Sequence, residues 1–364
     1  MVNVMPRPAI AYLSSKNLRH NISIIQKKAH HSVVIAMIKA NAYGHGMVKT
    51  AQHIDDLNCY MGVASIDDGI MLRNAGIKSK ILLIQGPFEP EDIPLAIQYD
   101  CDMVLHQKEH ISWLDGIKTP NKLKVWMKIN TGMNRLGFSM EDVEHVYKTL
   151  QDHPKVEEGV PILSHFSCAS RSDGLMNKYQ LQCFKDLKSK IDTKFSLANT
   201  GGIFHFPESH YDYVRPGIAM YGVSSLPGIM ADDLNLKPVM TVKSIVNAVR
   251  HVKKGEYIGY SATYQAKEDM VMAVIAFGHA DGYPVTAPAG TPILVNGMRC
   301  PIIGPVSMDM IILDVTKIKD VKIGDEVVVW GDGLPLDEIM QHTKVSPGSM
   351  LALLRDRVKY IWVD

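Results

Sequence analysis

The feature that most restricts the fold of this chain is an alternation of short apolar runs with longer amphipathic segments between Ser14 and Met220. The apolar runs are rich in β-branched residues and predict strands buried on both faces, while the amphipathic segments predict helices that cover them. The predicted strands are 33–38, 59–64, 80–85, 101–105, 123–130, 159–165, 195–198 and 212–215, and the predicted helices include 47–57, 66–75, 91–99, 141–152 and 177–191. Eight strands with helices between them predict an α/β fold of the (β/α)8 barrel type, which we assign to residues 14–223.

A doubly wound open sheet is the alternative fold, although such a sheet normally has fewer strands. Its dinucleotide-binding version also has a Gly-x-Gly-x-x-Gly turn after the first strand. The sequence contains no such turn at that place, which favours the barrel.

The character of the chain changes after residues 224–238, which we interpret as a linker. Beyond them, short β-branched runs are separated by Gly, Pro and Asn, and only 335–342 and 347–355 have a helical pattern. The predicted strands are 239–250, 271–277, 292–295, 298–303, 310–314 and 325–330. We therefore expect a mainly β C-terminal domain at 239–364, with residues 1–13 joining it.

Charge and composition argue against several classes of partner. A net charge of +1 gives no reason to expect nucleic acid or an anionic membrane surface. We find neither a bilayer-length apolar run nor a signal-peptide pattern at the N-terminus. Five cysteines without a Cys-x-x-Cys fit free thiols in a reducing compartment, and fifteen histidines without zinc-ligand spacing predict no metal site. We therefore expect a cytoplasmic protein.

Four basic side chains lie at the ends of predicted barrel strands. Lys39 follows the first strand, Arg135 the fifth, His165 ends the sixth and Arg215 ends the eighth. Active sites of such barrels lie at this rim. Burial lowers the pKa of a lysine, and the neutral amine can form a Schiff base. Each residue alone is compatible with a structural ion pair, but four on one rim favour a functional site.

The loops after the seventh and eighth strands predict a phosphate site. They are Asn199-Thr200-Gly201-Gly202 and Pro216-Gly217-Ile218. Barrels often bind phosphate in these two loops through backbone N–H groups, and glycine permits the close approach. The position beside the basic rim residues strengthens an otherwise common pattern.

Six motifs in this chain resemble those of the alanine racemase family. The first, Ile38 to Gly46, resembles the attachment site of pyridoxal 5'-phosphate, and the others are Asn130 to Gly137, Ser164 to Phe166, Arg215 to Gly222, Gly259 to Tyr264 and Pro305 to Asp309. The resemblance covers nearly the whole chain. It implies a barrel followed by a β domain, the pyridoxal phosphate cofactor, and a homodimer whose sites take residues from both subunits.

The resemblance also implies the catalytic roles. Lys39 would hold the cofactor and act as one acid–base group, and the partner subunit's Tyr260 would be the other. Two groups on opposite faces suit racemisation, which removes a proton on one face and returns it on the other. Arg215 would donate to the pyridine nitrogen, and His165 would hydrogen-bond Arg215. The implied product is D-alanine for peptidoglycan.

Further residues receive binding roles from the same resemblance. Arg135 and the backbone N–H of Met308 would hold the substrate carboxylate, and the phosphate would be held by Tyr43, Thr200, Gly217 and Ile218. Strand alternation places Lys128 on the same face as Trp126, where it needs an anionic partner or loses its charge. The family often has a carbamylated lysine at this position, able to orient Arg135. Asn130 replaces the usual aspartate nearby and leaves the local charge balance open.

Two departures from the family pattern leave alternatives open. His279 stands where a tyrosine usually lines the entryway, and Asp356 stands where some members have a phosphate-binding tyrosine. We expect Asp356 to be turned away or paired. Besides interconversion of L- and D-alanine by two bases, the alternatives are a broad-spectrum amino-acid racemase, a barrel-type decarboxylase using the same cofactor, and a non-catalytic cofactor carrier. Non-catalytic carriers resemble the barrel alone, so the predicted second domain argues against this alternative.

Overall fold

The computed structural model describes residues 7–364, and it confirms the predicted barrel followed by a mainly β domain. The chain divides into two compact units. One contains residues 21–220 and 225–229, and the other contains residues 7–20, 221–224 and 230–364. Residues 1–6 of the predicted N-terminal contribution lie outside the described residues.

After strand β1 (Ile10–Ser14) and helix α1 (Ser15–Lys28), eight parallel strands form the barrel. They are β2 (Val33–Met37), β3 (Tyr60–Val63), β4 (Ile81–Leu83), β5 (Cys101–Leu105), β6 (Val125–Lys128), β7 (Ile162–Leu163), β8 (Phe195–Asn199) and β9 (Tyr213–Arg215). Each strand pairs with the next along the chain, and β9 pairs with β2 to close the barrel. Each of these eight barrel strands overlaps a predicted one.

Helices and turns between the strands complete this unit. They are α2 (Lys39–Tyr43), α3 (Met47–Ile54), α4 (Ile66–Asn74), α5 (Asp92–Gln98), α6 (Lys108–Asp115), α7 (Val143–Gln151), α8 (Leu175–Lys190) and α9 (Thr200–His205). The short helices α6 and α9 were not predicted, nor was α1. The sequence of α1 is largely polar, which weakens the periodic signal.

Aromatic rings fill the barrel beneath the rim. Trp126 is fully buried, and its ring centroid lies 5.9 Å from that of Tyr60 and 4.6 Å from that of Tyr213. The indole Nε1–H of Trp126 donates to Oδ2 of Asp102 at 2.9 Å, and burial raises the pKa of this carboxyl to about 6. Trp126 and Lys128 are two residues apart on β6, so the aromatic layer supports the lysine from below.

The second unit is built on a mixed sheet whose strand order is β15-β14-β17-β10-β1-β18, with β13 joined to β10 and β16. Strand β1 pairs antiparallel with β10 and parallel with β18. The strands after the barrel are β10 (Met240–Val252), β11 (Tyr257–Ile258), β12 (Tyr264–Gln265), β13 (Met270–Ile275), β14 (Pro292–Val295), β15 (Met298–Pro301), β16 (Ile311–Asp314), β17 (Glu326–Trp330) and β18 (Lys359–Val363). The helices are α10 (Leu336–Thr343) and α11 (Pro347–Ala352). Strands β11, β12 and β18 were not predicted.

Candidate active site

The rim of the barrel surrounds a cavity of about 450 Å³. All the barrel residues predicted for the site line it, namely Lys39, Tyr43, Lys128, Arg135, His165, Thr200, Arg215, Gly217 and Ile218. They come from loops and strand ends that are far apart in the sequence. Closure of the barrel brings them together, because the carboxyl ends of parallel strands meet at one rim.

Lys39 begins a turn of unusual handedness. The next four residues, Ala40, Asn41, Ala42 and Tyr43, have φ values of 52°, 53°, 54° and 50°, so the turn α2 is left-handed. Left-handed conformations cost L-residues roughly 1–2 kcal/mol each. The turn is held by the N–H of Ala42, which donates to Ile38 O at 2.7 Å, and by the Asn41 side chain, whose Oδ1 accepts the N–H of Met47 at 2.8 Å.

Burial and two neighbouring cations lower the pKa of Lys39. Desolvation has the largest effect, followed by the charges of Arg135 and Arg215. A lowered pKa increases the fraction of neutral amine at a given pH, and the neutral amine is the nucleophilic form. The environment therefore suits an amine that attacks a carbonyl group.

Arg215 is fixed by hydrogen bonds from its guanidinium group. Its Nη1 donates to Ser196 Oγ at 2.5 Å, and its Nη2 donates to the carbonyl oxygens of Ser164 and Leu197. Nη2 also lies 3.4 Å from Nδ1 of His165. Burial lowers the pKa of Arg215 to about 10, so the group stays charged at neutral pH. Burial and the charge of Arg215 hold the pKa of His165 well below its usual range, so the imidazole is neutral and can accept from the guanidinium.

A polar network behind these residues was missed by the sequence reasoning. Gln180, on α8, donates through Nε2 to Thr131 Oγ1 and to the carbonyl of His165, both at 2.8 Å. Thr131 Oγ1 lies 2.8 Å from Ser164 Oγ, and Ser164 in turn donates to Ile129 O. The network joins the ends of β6 and β7 and fixes the direction of the His165 backbone. Nothing in the sequence around Gln180 marks it as a partner of residues on two other strands.

Lys128 is a buried cation among other cations. Only 7% of its surface is exposed, and within residues 7–364 it forms no ion pair. Burial and the charges of Arg215, Arg135 and Lys39 lower the pKa of Lys128 to about 8. The neutral fraction of this amine at neutral pH is therefore larger than for an ordinary lysine, although the charged form still predominates and leaves a local excess of positive charge.

The loop that carries Arg135 is closed at its base. The N–H of Asn130 donates to Phe138 O at 2.8 Å, and the N–H of Phe138 donates to Lys128 O at 2.9 Å. The Asn130 side chain accepts the N–H groups of Gly132 and Asn134 through Oδ1. Asn130 thus shapes the loop from within, a role for which an uncharged amide is sufficient.

Three of the residues that line the cavity, Tyr43, Thr200 and Gly217, form a small cradle. The N–H of Gly217 donates to Thr200 Oγ1 at 3.3 Å. A Cβ atom on Gly217 would lie 2.6 Å from the hydroxyl oxygen of Tyr43, so only glycine leaves room for this tyrosine. The hydroxyl groups of Tyr43 and Thr200, with the space that the missing side chain of Gly217 leaves beside them, suit the binding of a phosphate group. The residues present therefore fit pyridoxal phosphate, since the same cavity is lined by the amine of Lys39 and by this phosphate cradle.

We expect Gly217→Ala to weaken binding of pyridoxal 5'-phosphate by roughly tenfold or more, because the new methyl group must displace Tyr43. Gly116→Ala is the control. Gly116 has a backbone φ that any residue adopts, and the nearest atom to a Cβ added there would be 3.6 Å away, an ordinary contact distance. Titration of the apoprotein with cofactor, followed by absorbance, gives both dissociation constants. Equal affinities in the two variants would contradict the cradle.

The remaining predicted site residues belong to the second unit. Tyr260 follows β11 in a tight turn and is 70% exposed, and Met308 is 59% exposed. The N–H groups of His279 and Ala280 donate to the carbonyls of Ser307 and Met308 at 3.0 and 2.9 Å. The meeting of Tyr260 and Met308 with the barrel residues stays a prediction. Asp356 is exposed.

A buried carboxylate organises the turn that contains His279. Asp281 is completely buried and accepts two hydrogen bonds from Arg7, at 2.7 and 2.5 Å, and one from the N–H of Gly278 at 2.8 Å. Arg357 adds an ion pair to Asp281 at 3.0 Å and another to Asp309 at 2.7 Å. These contacts hold the segment that contains His279 near the bend that contains Met308 and Asp309, just before β16.

Within the described part of the chain, no helix is long and apolar enough to span a membrane. Among the same residues, no group of three or more His, Cys, Asp or Glu side chains is arranged to hold a metal ion.

Comparison with protein families gives two matches that together cover most of the chain. The family described as "Alanine racemase, N-terminal domain" matches residues 13–225, and that described as "Alanine racemase, C-terminal domain" matches residues 239–362.

Curated relatives and solved structures agree with these matches. An alanine racemase of Edwardsiella ictaluri is 42% identical over 97% of this chain and 97% of that protein, and one of Pasteurella multocida is 40% identical over 98% and 99%. The crystal structure of the biosynthetic alanine racemase from Pseudomonas aeruginosa matches with a TM-score of 0.95 at 34% identity, covering 98% of this chain and 100% of that one. The alanine racemase structure from Bartonella henselae, with covalently bound pyridoxal phosphate, matches with a TM-score of 0.88 at 29% identity, over 98% of this chain and 100% of that one.

Proposed function

We propose, from the premise that this chain belongs to the alanine racemase family, that it interconverts L-alanine and D-alanine with pyridoxal 5'-phosphate as its cofactor. The observation that carries the proposal is the single cavity in which the amine of Lys39 and the guanidinium of Arg215 face the same space as the phosphate cradle at Gly217. These residues would bind the cofactor at its carbonyl, ring nitrogen and phosphate ends respectively.

Each residue of the site would have a separate role in the reaction. When bound, the cofactor withdraws electrons and stabilises negative charge on the substrate α-carbon. Lys39 would remove or return the proton at its Nζ on one face, and the partner subunit's Tyr260 would do so at its hydroxyl on the other. Arg215 donates hydrogen bonds without giving up its proton, so it would leave the ring nitrogen unprotonated. Arg135 would hold the substrate carboxylate at the cavity mouth, together with the N–H of Met308.

A homodimer is part of this proposal. Tyr260 is exposed in the described chain although most large aromatic side chains bury part of their surface on folding. Met308, in the same unit, is also exposed. The exposure of Tyr260 and Met308 supports a role for both residues in contact with a second subunit. A cytoplasmic supply of D-alanine for peptidoglycan is the role that fits the family.

The proposal is tested by the racemisation itself. Protein supplied with cofactor should abolish the optical rotation of L-alanine and of D-alanine alike, since both reach the same mixture. Borohydride reduction followed by peptide mapping should leave the pyridoxyl group on Lys39. Unchanged rotation in the cofactor-bound protein, or a pyridoxyl group on another lysine, would overturn the assignment.

Substrate range is tested by the same assay. His279, beside the segment of Met308, replaces the tyrosine expected at the entryway, and this supports a broad-spectrum racemase as the second candidate. Comparable loss of rotation with larger amino acids would favour it. Loss of rotation accompanied by release of carbon dioxide and formation of an achiral amine would instead indicate a decarboxylase.

We expect Lys128 to carry a carbamate, because the neutral form of its amine can add carbon dioxide, releasing a proton, and the resulting anion would offset part of the charge of three neighbouring cations. Growth or exchange in isotopically labelled bicarbonate should give a carbamate carbon signal that is lost in Lys128→Ala and retained in Lys124→Ala. Absence of the signal in the unmodified protein would contradict the prediction.

A further inference from the structure

Asp337 joins the two ends of one short segment of the chain. It lies in the first turn of α10 and is 7% exposed. Its Oδ1 accepts the N–H of Ser224 at 3.0 Å, and its Oδ2 accepts the N–H of Ala231 at 2.8 Å. The carboxylate therefore fixes both residues that flank the segment 225–230.

The segment 225–230 has further internal order. The N–H of Ile229 donates to Leu226 O at 3.1 Å, and Gly228 has a φ of 75°, which only glycine adopts at little cost. The N–H of Met230 donates to Asp233 Oδ2 at 2.8 Å. The segment is consequently a defined loop with anchored ends.

The first residue of this loop, Ser225, lines the cavity that contains Tyr43, Thr200 and Gly217. It follows Ser224 directly, so the hydrogen bond from Ser224 to Asp337 fixes the backbone at the point where the chain enters the cavity wall. A serine hydroxyl is a hydrogen-bond donor suited to phosphate oxygens. Two serines that no motif assigned to the site line this cavity, Ser170 and Ser225, and of these Ser225 is the one that directly follows a residue held by a buried carboxylate.

We propose that Ser225 is an additional ligand of the cofactor phosphate and that Asp337 is the residue that positions it. This inference rests on the proposed function. Asp337 does not touch the cofactor. It acts through the backbone of Ser224 and Ala231.

The chemistry of the carboxylate explains the choice of residue at 337. An ionised carboxylate offers two acceptor oxygens and no donor, so it satisfies two N–H groups at once. Asparagine offers one acceptor, and its amide group would face the second N–H. Asp337→Asn therefore removes one of the two anchors while keeping the size of the side chain.

The test compares two ligands that differ only in the phosphate. Apoprotein is titrated with pyridoxal 5'-phosphate and with pyridoxal, and the dissociation constants are read from absorbance. Ser225→Ala and Asp337→Asn are each expected to weaken binding of pyridoxal 5'-phosphate about 3- to 10-fold, the range for one net hydrogen bond, and to leave pyridoxal binding unchanged. The dissociation constant of the double variant for pyridoxal 5'-phosphate should equal that of the single variant that binds it less tightly, because both changes act through the same hydroxyl.

Glu338→Gln is the matched control. It changes the next residue of α10, whose carboxylate accepts hydrogen bonds from Arg299 and not from the backbone of Ser224 or Ala231. It should bind both ligands like the unmodified protein. Unchanged affinity of Ser225→Ala for pyridoxal 5'-phosphate, or equal loss of both ligands, would overturn the inference. If the unmodified protein binds neither ligand, the proposed function fails, and the inference fails with it.

Discussion

Lys39→Ala is expected to lower the rate of racemisation by roughly 10⁴-fold or more, because one change removes both the attachment point of the cofactor and one acid–base group. The purified variant should be as soluble and as well folded as the unmodified protein, since Lys39 makes no buried ion pair within residues 7–364. Lys49→Ala, an exposed lysine on α3, is the control and should keep full activity. Substantial activity in Lys39→Ala would remove the central element of the proposal.

The same variant tests the assignment of Tyr260 to the partner's site. Lys39→Ala and Tyr260→Phe subunits, each nearly inactive alone, should regain activity when mixed and allowed to exchange. One of the two sites in such a heterodimer contains both residues intact. Failure to regain activity, although heterodimers form, would show that the two residues do not act across an interface.

Asp281→Asn is expected to lower the free energy of unfolding by about 3 kcal/mol. The carboxylate is fully buried and balances two arginines, and breaking a buried ion pair by removing one partner costs roughly 3–5 kcal/mol. The lower value applies because the side chains of Arg7 and Arg357 are 23% and 36% exposed and can recover hydration.

Asp309→Asn provides the comparison for this prediction within the same network. Its side chain is 46% exposed, so the loss should stay below about 1 kcal/mol. Urea unfolding followed by circular dichroism measures both variants. Equal losses would mean that burial does not determine the strength of these ion pairs.

The sequence predicted those parts of the structure that depend on local periodicity or on long motifs. The eight barrel strands were found because a strand buried on both faces is a continuous apolar run, as in β2 and β5. Lys39, Arg135, His165 and Arg215 were found because each lies at or just after the end of such a run, whereas Tyr43 was assigned from the resemblance to the alanine racemase family. The position of a residue at the end of a predicted strand can be recognised in a single sequence, and this position indicated the site.

The parts that escaped prediction depend on distant pairs. Gln180 contacts Thr131 across 49 residues, and Asp337 contacts Ser224 across 113. Glutamine and aspartate are common on helix surfaces, so neither position stands out in the sequence. The turn after Lys39 escaped for another reason, because alanine carries no signal for positive φ.

That left-handed turn has a consequence in terms of chirality. For a D-residue the preferred regions of φ and ψ are the mirror images of those for an L-residue, so the backbone of Ala40 and Ala42 is the one that D-alanine adopts without strain. Semisynthesis with D-alanine at position 40, which is exposed, should therefore relieve the conformational cost at that residue. The chain holds its key lysine with L-alanines in the geometry natural to the opposite enantiomer, and the surrounding hydrogen bonds supply the free energy that keeps them there.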